Sequence, residues 1–189
     1  MAKEQVEVMK KLGISKTALM GVSQGGMIAQ HIAIDYPEFV DKLVLAVTVS
    51  RQNETVQSVV SNWIKMAKVS DYKGIVIDTA EKSYSNKKIK KYRLLYPIIS
   101  RIGKPKDFSR FIIQANSCIN HNSYNELEKI KCETLVIGGD SDSVVGKKSS
   151  EEMAEKILGS KLIILKGLGH MAYEESKDFN SLVLNFLNT

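Results

Sequence analysis

The chain has 189 residues, 43% of them hydrophobic and 25% charged, with a formal net charge of +6. That length builds one good core, or one core with a smaller attached lid, and no apolar run reaches the length of a transmembrane helix. The polar start Met1-Ala2-Lys3-Glu4-Gln5 lacks a signal peptide's apolar centre, so a cytoplasmic location is expected.

Glu4 to Leu12 carries Val6, Met9 and Leu12 at three-residue intervals and meets Gly13, which reads as an amphipathic helix with a glycine stop. Thr17 to Val22 reads as a buried strand, and residues 24 to 36 as an apolar-faced helix stopped by Pro37. Between them runs Gly21-Val22-Ser23-Gln24-Gly25, a G-x-S-x-G pattern at a strand-to-helix turn. A reactive serine needs its hydroxyl held clear of the sheet on such a turn, and glycines on either side let the backbone approach closely. The unpaired N–H of Gln24, at the start of the following helix, can point at a developing oxyanion. Chance alone yields the pattern about once in fifteen chains of this length, so its weight comes from the flanking strand and helix.

Leu43 to Val49 is nearly continuously apolar and β-branched, as suits a strand covered on both faces. Beyond Ser50 the periodicity becomes helical. Val56, Val59, Val60, Trp63, Ile64 and Ala67 recur at threes and fours, as do Phe108, Phe111, Ile112, Ala115 and Ile119. Ile89, Tyr92, Tyr96 and Ile99 suggest a further helix disturbed by Pro97. Residues 51–128 are therefore expected to form an all-helical cap inserted between two parts of a core, 1–50 and 129–189. From Lys82 to Arg110 there are ten Lys or Arg and one acidic residue, Asp107, a local +9 that leaves the remainder at −3. Such a run attracts nucleic acid, an anionic membrane or an acidic substrate in some proteins, but it reads here as a solvated lysine-rich face, with no nucleic-acid or membrane partner.

Alternation returns at Thr134-Leu135-Val136-Ile137, which runs into Gly138-Gly139-Asp140-Ser141-Asp142. A helix is expected over 148–158 with Met153, Ala154, Ile157 and Leu158 inward, then a strand over 161–165 ending at Gly167-Leu168-Gly169-His170. Phe179, Leu182, Val183, Phe186 and Leu187 mark a terminal helix. Strands alternating with helices in both flanks give an α/β body with a parallel sheet. Cys118 and Cys132 have no metal-type spacing and read as free thiols, and neither a metal nor a cofactor is expected.

On a parallel sheet, reactive groups gather in loops past the carboxyl ends of strands. Ser23, Asp142 and His170 each follow an expected strand by a few residues, in the order nucleophile, acid, base. A serine becomes nucleophilic when a base takes its proton, and the base needs a carboxylate to fix its tautomer. Asp140 is the rival to Asp142 and is better placed for an Asx turn. His31 lies within the helix after the elbow, and His121 stands out of order, although it could line a pocket.

With these residues the chain resembles an α/β-hydrolase fold enzyme with a helical cap. The likeness rests on Gly21-Val22-Ser23-Gln24-Gly25-Gly26, Asp35-Tyr36-Pro37-Glu38 with Val40 to Leu45, Val136 to Asp142, and Gly169-His170. It covers both flanks, while the insertion matches only in position and helical character. The resemblance implies Ser23 as nucleophile, His170 as general base, Asp142 as its orienter and the Gln24 N–H as one oxyanion donor. The family's usual proline after the acid is replaced, with Gly146 in its place.

Members of that family carry several strands before the helix that precedes the elbow, and a loop among them supplies a second oxyanion N–H. This chain opens directly on that helix, which suggests the C-terminal portion of a larger hydrolase with an apolar strand edge. A second copy, a partner chain or a rearrangement of the edge itself would compensate, and the sequence does not choose among them. Two functions follow. One is a hydrolase of a small carboxylic ester or lactone working through an acyl-enzyme. The other is a weakly active or inactive remnant that serves as a binding module.

Overall fold

In the two central strands, side chains of successive residues bury on opposite faces of the sheet, and that alternation sets the architecture. The computed structural model describes residues 1–189. Its sheet has four parallel strands in chain order: β1 (Thr17–Val22), β2 (Val40–Ala46), β3 (Glu133–Gly139) and β4 (Lys161–Leu165). On one face Leu43, Leu45 and Val136 pack with Val6 of α1 (Ala2–Lys11), with Ala29, Ile32 and Ala33 of α2 (Gln24–Asp35), and with Met153 farther along the chain. On the other face Val44, Ala46, Leu135 and Ile137 pack with Phe179, Val183 and Phe186. Burial on both faces explains why β2 and β3 read as unbroken apolar runs.

Between β2 and β3 the chain is helical, in α3 (Glu54–Lys68), α4 (Tyr72–Ser83), α5 (Asn86–Tyr92), α6 (Tyr96–Ile99) and α7 (Ser109–Ile119). A 3₁₀ turn at Arg93–Leu95 joins α5 to α6, and another at Tyr124–Lys129 leads towards β3. Asn53 caps α3 by accepting the Val56 N–H, and Asp71 caps α4 by accepting that of Gly74. The apolar stripes of α3 and α7 meet in a second cluster with Met27, Val49, Val144 and Val145. These last residues follow the carboxyl ends of strands, so the insertion is seated over that end of the sheet. Helices α8 (Lys147–Lys156), α9 (Ala172–Glu175) and α10 (Phe179–Leu187) complete the chain.

Several expectations need correction. β1 is an edge strand and is only partly buried, because it has a neighbouring strand on one side only; Ala18 and Met20 stay exposed. Leu12 and Leu158 keep the helical spacing yet are exposed, since each lies just past its helix, at the cap of α1 and beyond the end of α8. α4 was not expected as a separate helix. Its inward residues Ile75 and Ala80 are too few to stand out among Lys73, Asp78, Glu81 and Lys82.

Candidate active site

The turn after β1 bends sharply at Ser23, whose φ of 52° and ψ of −120° are unusual for any residue with a side chain. Several bonds hold it there. Its N–H donates to the Ala46 carbonyl at 2.9 Å. Its carbonyl accepts the Thr48 hydroxyl at 2.6 Å and the N–H groups of Gly26 and Met27 at 2.9 and 3.3 Å. A Cβ on Gly21 would sit 2.5 Å from the Gly25 carbonyl oxygen, so only glycine lets α2 start this close to the strand. Gly25 does not play the matching part, for a Cβ there meets nothing within 4 Å. Gly26 does so instead: its Cβ would overlap the Thr48 side chain at 2.6 Å.

The loop after β3 carries the acid. Asp142 Oδ1 accepts the N–H groups of Val144 and Val145 at 2.8 and 2.9 Å, leaving Oδ2 to accept from His170 Nδ1 at 2.9 Å. The carboxylate is nearly sealed, with the Asp142 side chain 2% exposed. A carboxylate only accepts, so Nδ1 bears the proton and Nε2 is the free acceptor. Ser23 Oγ lies 2.9 Å from that Nε2. Hydroxyl, imidazole and carboxylate thus form one hydrogen-bonded line across three loops far apart in the chain. Asp140 is elsewhere, accepting from the Gly167 N–H at 2.7 Å and the Ser141 hydroxyl at 2.9 Å. Those bonds brace the loop that leads to His170.

The helical insertion grips the same loop. Met171 N–H donates to the Ser83 carbonyl at 3.0 Å, and a Cβ on Gly169 would lie 2.6 Å from that oxygen. Ser85 donates both its N–H and its hydroxyl to Glu175, at 2.9 and 2.6 Å. Burial alone would raise the Glu174 carboxyl, but hydrogen bonds from Tyr84 and Lys88 hold it below the usual carboxylate range.

Beside the elbow, a cavity of about 360 Å³ is walled by Gln24, Met27, Ile28, His31, Ser117 and His121, among others, but not by Ser23. The His31 and His121 rings meet edge to face, with centroids 5.2 Å apart. Burial, assisted by the neighbouring His31, pushes His121 down to about 4. Neither histidine touches Ser23. Gln24 also ties the elbow to the insertion, its side chain donating to the Gln114 carbonyl at 3.1 Å.

Sequence reasoning missed Thr48, which braces the Ser23 carbonyl, and Gln30, fully buried between the carbonyls of Gly26 and Val49 and the Ser123 hydroxyl. Thr48 lies inside an apolar β-branched run and Gln30 inside an apolar helix. Only the oddity of a polar residue at a core position could have marked them. Cys118 and Cys132 are free thiols, both pushed up by burial, and no group of three or more His, Cys, Asp or Glu side chains forms a metal site.

A family model for the alpha/beta hydrolase fold matches residues 1–177. Over 187 residues the chain is 26% identical to a 2-hydroxy-6-oxononadienedioate/2-hydroxy-6-oxononatrienedioate hydrolase of a Pseudomonas species, covering 95% of this chain and 66% of that one. The corresponding Escherichia coli O139:H28 protein is 28% identical and is spanned over 65% of its length. Among solved structures, MGS-M2, an alpha/beta hydrolase enzyme from a Medee basin deep-sea metagenome library, superposes with a TM-score of 0.88 at 25% identity. That match covers all of this chain and 70% of the other. The enol-lactonase of Burkholderia xenovorans LB400 shares the fold, with a TM-score of 0.87 at 18% identity over 100% of this chain and 72% of its own.

Proposed function

Because the chain belongs to the alpha/beta hydrolase fold family, we propose that it hydrolyses a small carboxylic ester or lactone, with Ser23 as nucleophile, His170 as general base and Asp142 as its orienter. The observation that carries this reading is the Ser23–His170–Asp142 line, with both of its hydrogen bonds at 2.9 Å. Ser23 attacks the carbonyl carbon as His170 Nε2 takes the hydroxyl proton. The imidazolium so formed is stabilised by the buried Asp142 carboxylate. Negative charge gathers on the carbonyl oxygen, facing the N–H of Gln24 at the positive end of α2. Collapse breaks the bond to the alcohol, which leaves with the proton from His170. Water, deprotonated by the same ring, then releases the acid and restores the serine.

A second reading, hydrolysis of a carbon–carbon bond next to a ketone, is favoured by one observation, the likeness to the 2-hydroxy-6-oxononadienedioate hydrolases. It uses the same serine line, and assay of both substrate classes separates the two.

Labelling with a fluorophosphonate tests the common chemistry. The expected result is one adduct per chain, on Ser23, abolished in Ser23→Ala and strongly reduced in His170→Ala. A folded sample that takes up no label contradicts the proposal and favours a binding module.

A further inference from the structure

The helical run through α5, the 3₁₀ turn and α6 is apolar on two sides. Ile89, Tyr92, Tyr96 and Ile99 turn inward, as their spacing suggests, and Tyr84 stacks on Tyr92. Leu94 and Leu95 of the turn, Ile98 of α6 and Ile102 just beyond it are exposed, Leu94 to 81% and Ile102 to 65%. Lys90 and Lys91 of α5 precede Leu94 by four and three residues, Lys87 lies one turn further back, and Arg101 follows Ile98 by three, all of them exposed. Lys104 and Lys106 follow directly and are exposed as well.

Lys88 and Arg93 are spent on Glu174 and Glu81. The remaining six cations form no salt bridge, and no acidic residue occurs between Lys87 and Lys106. A solvated lysine face needs no row of four large aliphatic side chains. Single exposed leucines are ordinary, but a contiguous group inside a field of one sign calls for a surface that meets both.

We propose that this face of the helical insertion docks on an anionic lipid surface, with Leu94, Leu95, Ile98 and Ile102 entering the headgroup boundary and the surrounding lysines and arginine meeting lipid phosphates. Charge complementarity selects this occupant. A second copy would bring two such cationic fields together. Nucleic acid would be gripped by outward aromatics, whereas Tyr92 is stacked on Tyr84 and Tyr96 donates its hydroxyl to Glu81. An interfacial helix pairs basic flanks with an aliphatic face, and each cation near an anionic surface contributes roughly fivefold in partitioning. The docking is peripheral, since no helix is long and apolar enough to cross a membrane.

Vesicle flotation of the full chain tests this. Binding is expected to mixed phosphatidylcholine–phosphatidylglycerol vesicles and not to phosphatidylcholine alone, and it should fall steeply as salt is raised. Leu94→Ser with Ile98→Ser should weaken it about tenfold or more, and Lys87→Glu with Lys90→Glu and Lys91→Glu should abolish it. Circular dichroism and melting should be unchanged in both variants, which makes the readout independent of hydrolysis. Absence of flotation with the anionic vesicles overturns the proposal, as does equal flotation of the folded variants. A dimer in sedimentation that the same substitutions dissolve overturns it in favour of a second copy.

Discussion

Ser23 holds a backbone geometry that is costly for a residue with a side chain. A side chain at φ 52° and ψ −120° costs about 1–3 kcal/mol, and the bonds from Thr48, Gly26 and Met27 to its carbonyl impose that geometry. Ser23→Gly should therefore melt higher than Ser23→Ala, by roughly 1 kcal/mol, while neither takes up a fluorophosphonate. Equal melting would show that the turn is unstrained. His121 gives the pH dependence. Its ordinary value of 6.5 falls to about 4 in the fold through burial and the nearby His31. The unfolded chain then binds a proton that the folded chain refuses, so stability is full above about pH 6.5 and declines as pH falls towards 4. Roughly 2–3 kcal/mol is lost over that window. Urea unfolding at pH 7 and pH 4.5 should show the loss, reduced in His121→Asn; an undiminished loss would place its origin elsewhere.

Two junctions between elements carry the site. At the first, β1 meets α2, and the glycines on either side of Ser23 are not equivalent. Gly21→Ala drives a Cβ into the Gly25 backbone and should cost more than about 2 kcal/mol. Gly25→Ala enters open space at the start of a helix and should be neutral or stabilising by up to about 1 kcal/mol. Thermal melts of the pair decide the matter, and similar losses in both would refute the difference. At the second junction the insertion holds the His170 loop through Ser85 and Glu175. Glu175→Ala should lower kcat by about tenfold with KM little changed, because the imidazole loses its fixed position rather than its substrate contacts. A change confined to KM would assign Glu175 to substrate binding instead.

Across the whole molecule, the parts legible in the sequence are those in which one periodicity has one cause. Buried strands β2 and β3, the amphipathic α3 and α7, and the turn at Ser23 fall in this group. The placement of Ser23, Asp142 and His170 was readable because a parallel sheet sends its loops to one rim. What was hidden depends on neighbours. β1 looks like an interior strand until it is seen at the edge of the sheet, and Leu158 looks inward until α8 is seen to end at Lys156. The outward row from Leu94 to Ile102 was masked because a second apolar set, Ile89 to Ile99, is interleaved with it in the same stretch, and a 3₁₀ turn breaks the period there. The asymmetry of Gly21 and Gly25 exists only in three dimensions.

The central claim is that Ser23 and His170 act together on a carbonyl. Its most direct measurement is intact-mass analysis of the full chain, quenched within the first turnover of an activated acetyl ester, followed by peptide mapping. One acetyl group per chain on the peptide holding Ser23, absent in Ser23→Ala, is the expected result. Consumption of the ester with no acylated protein, or acylation at any other residue, would contradict it.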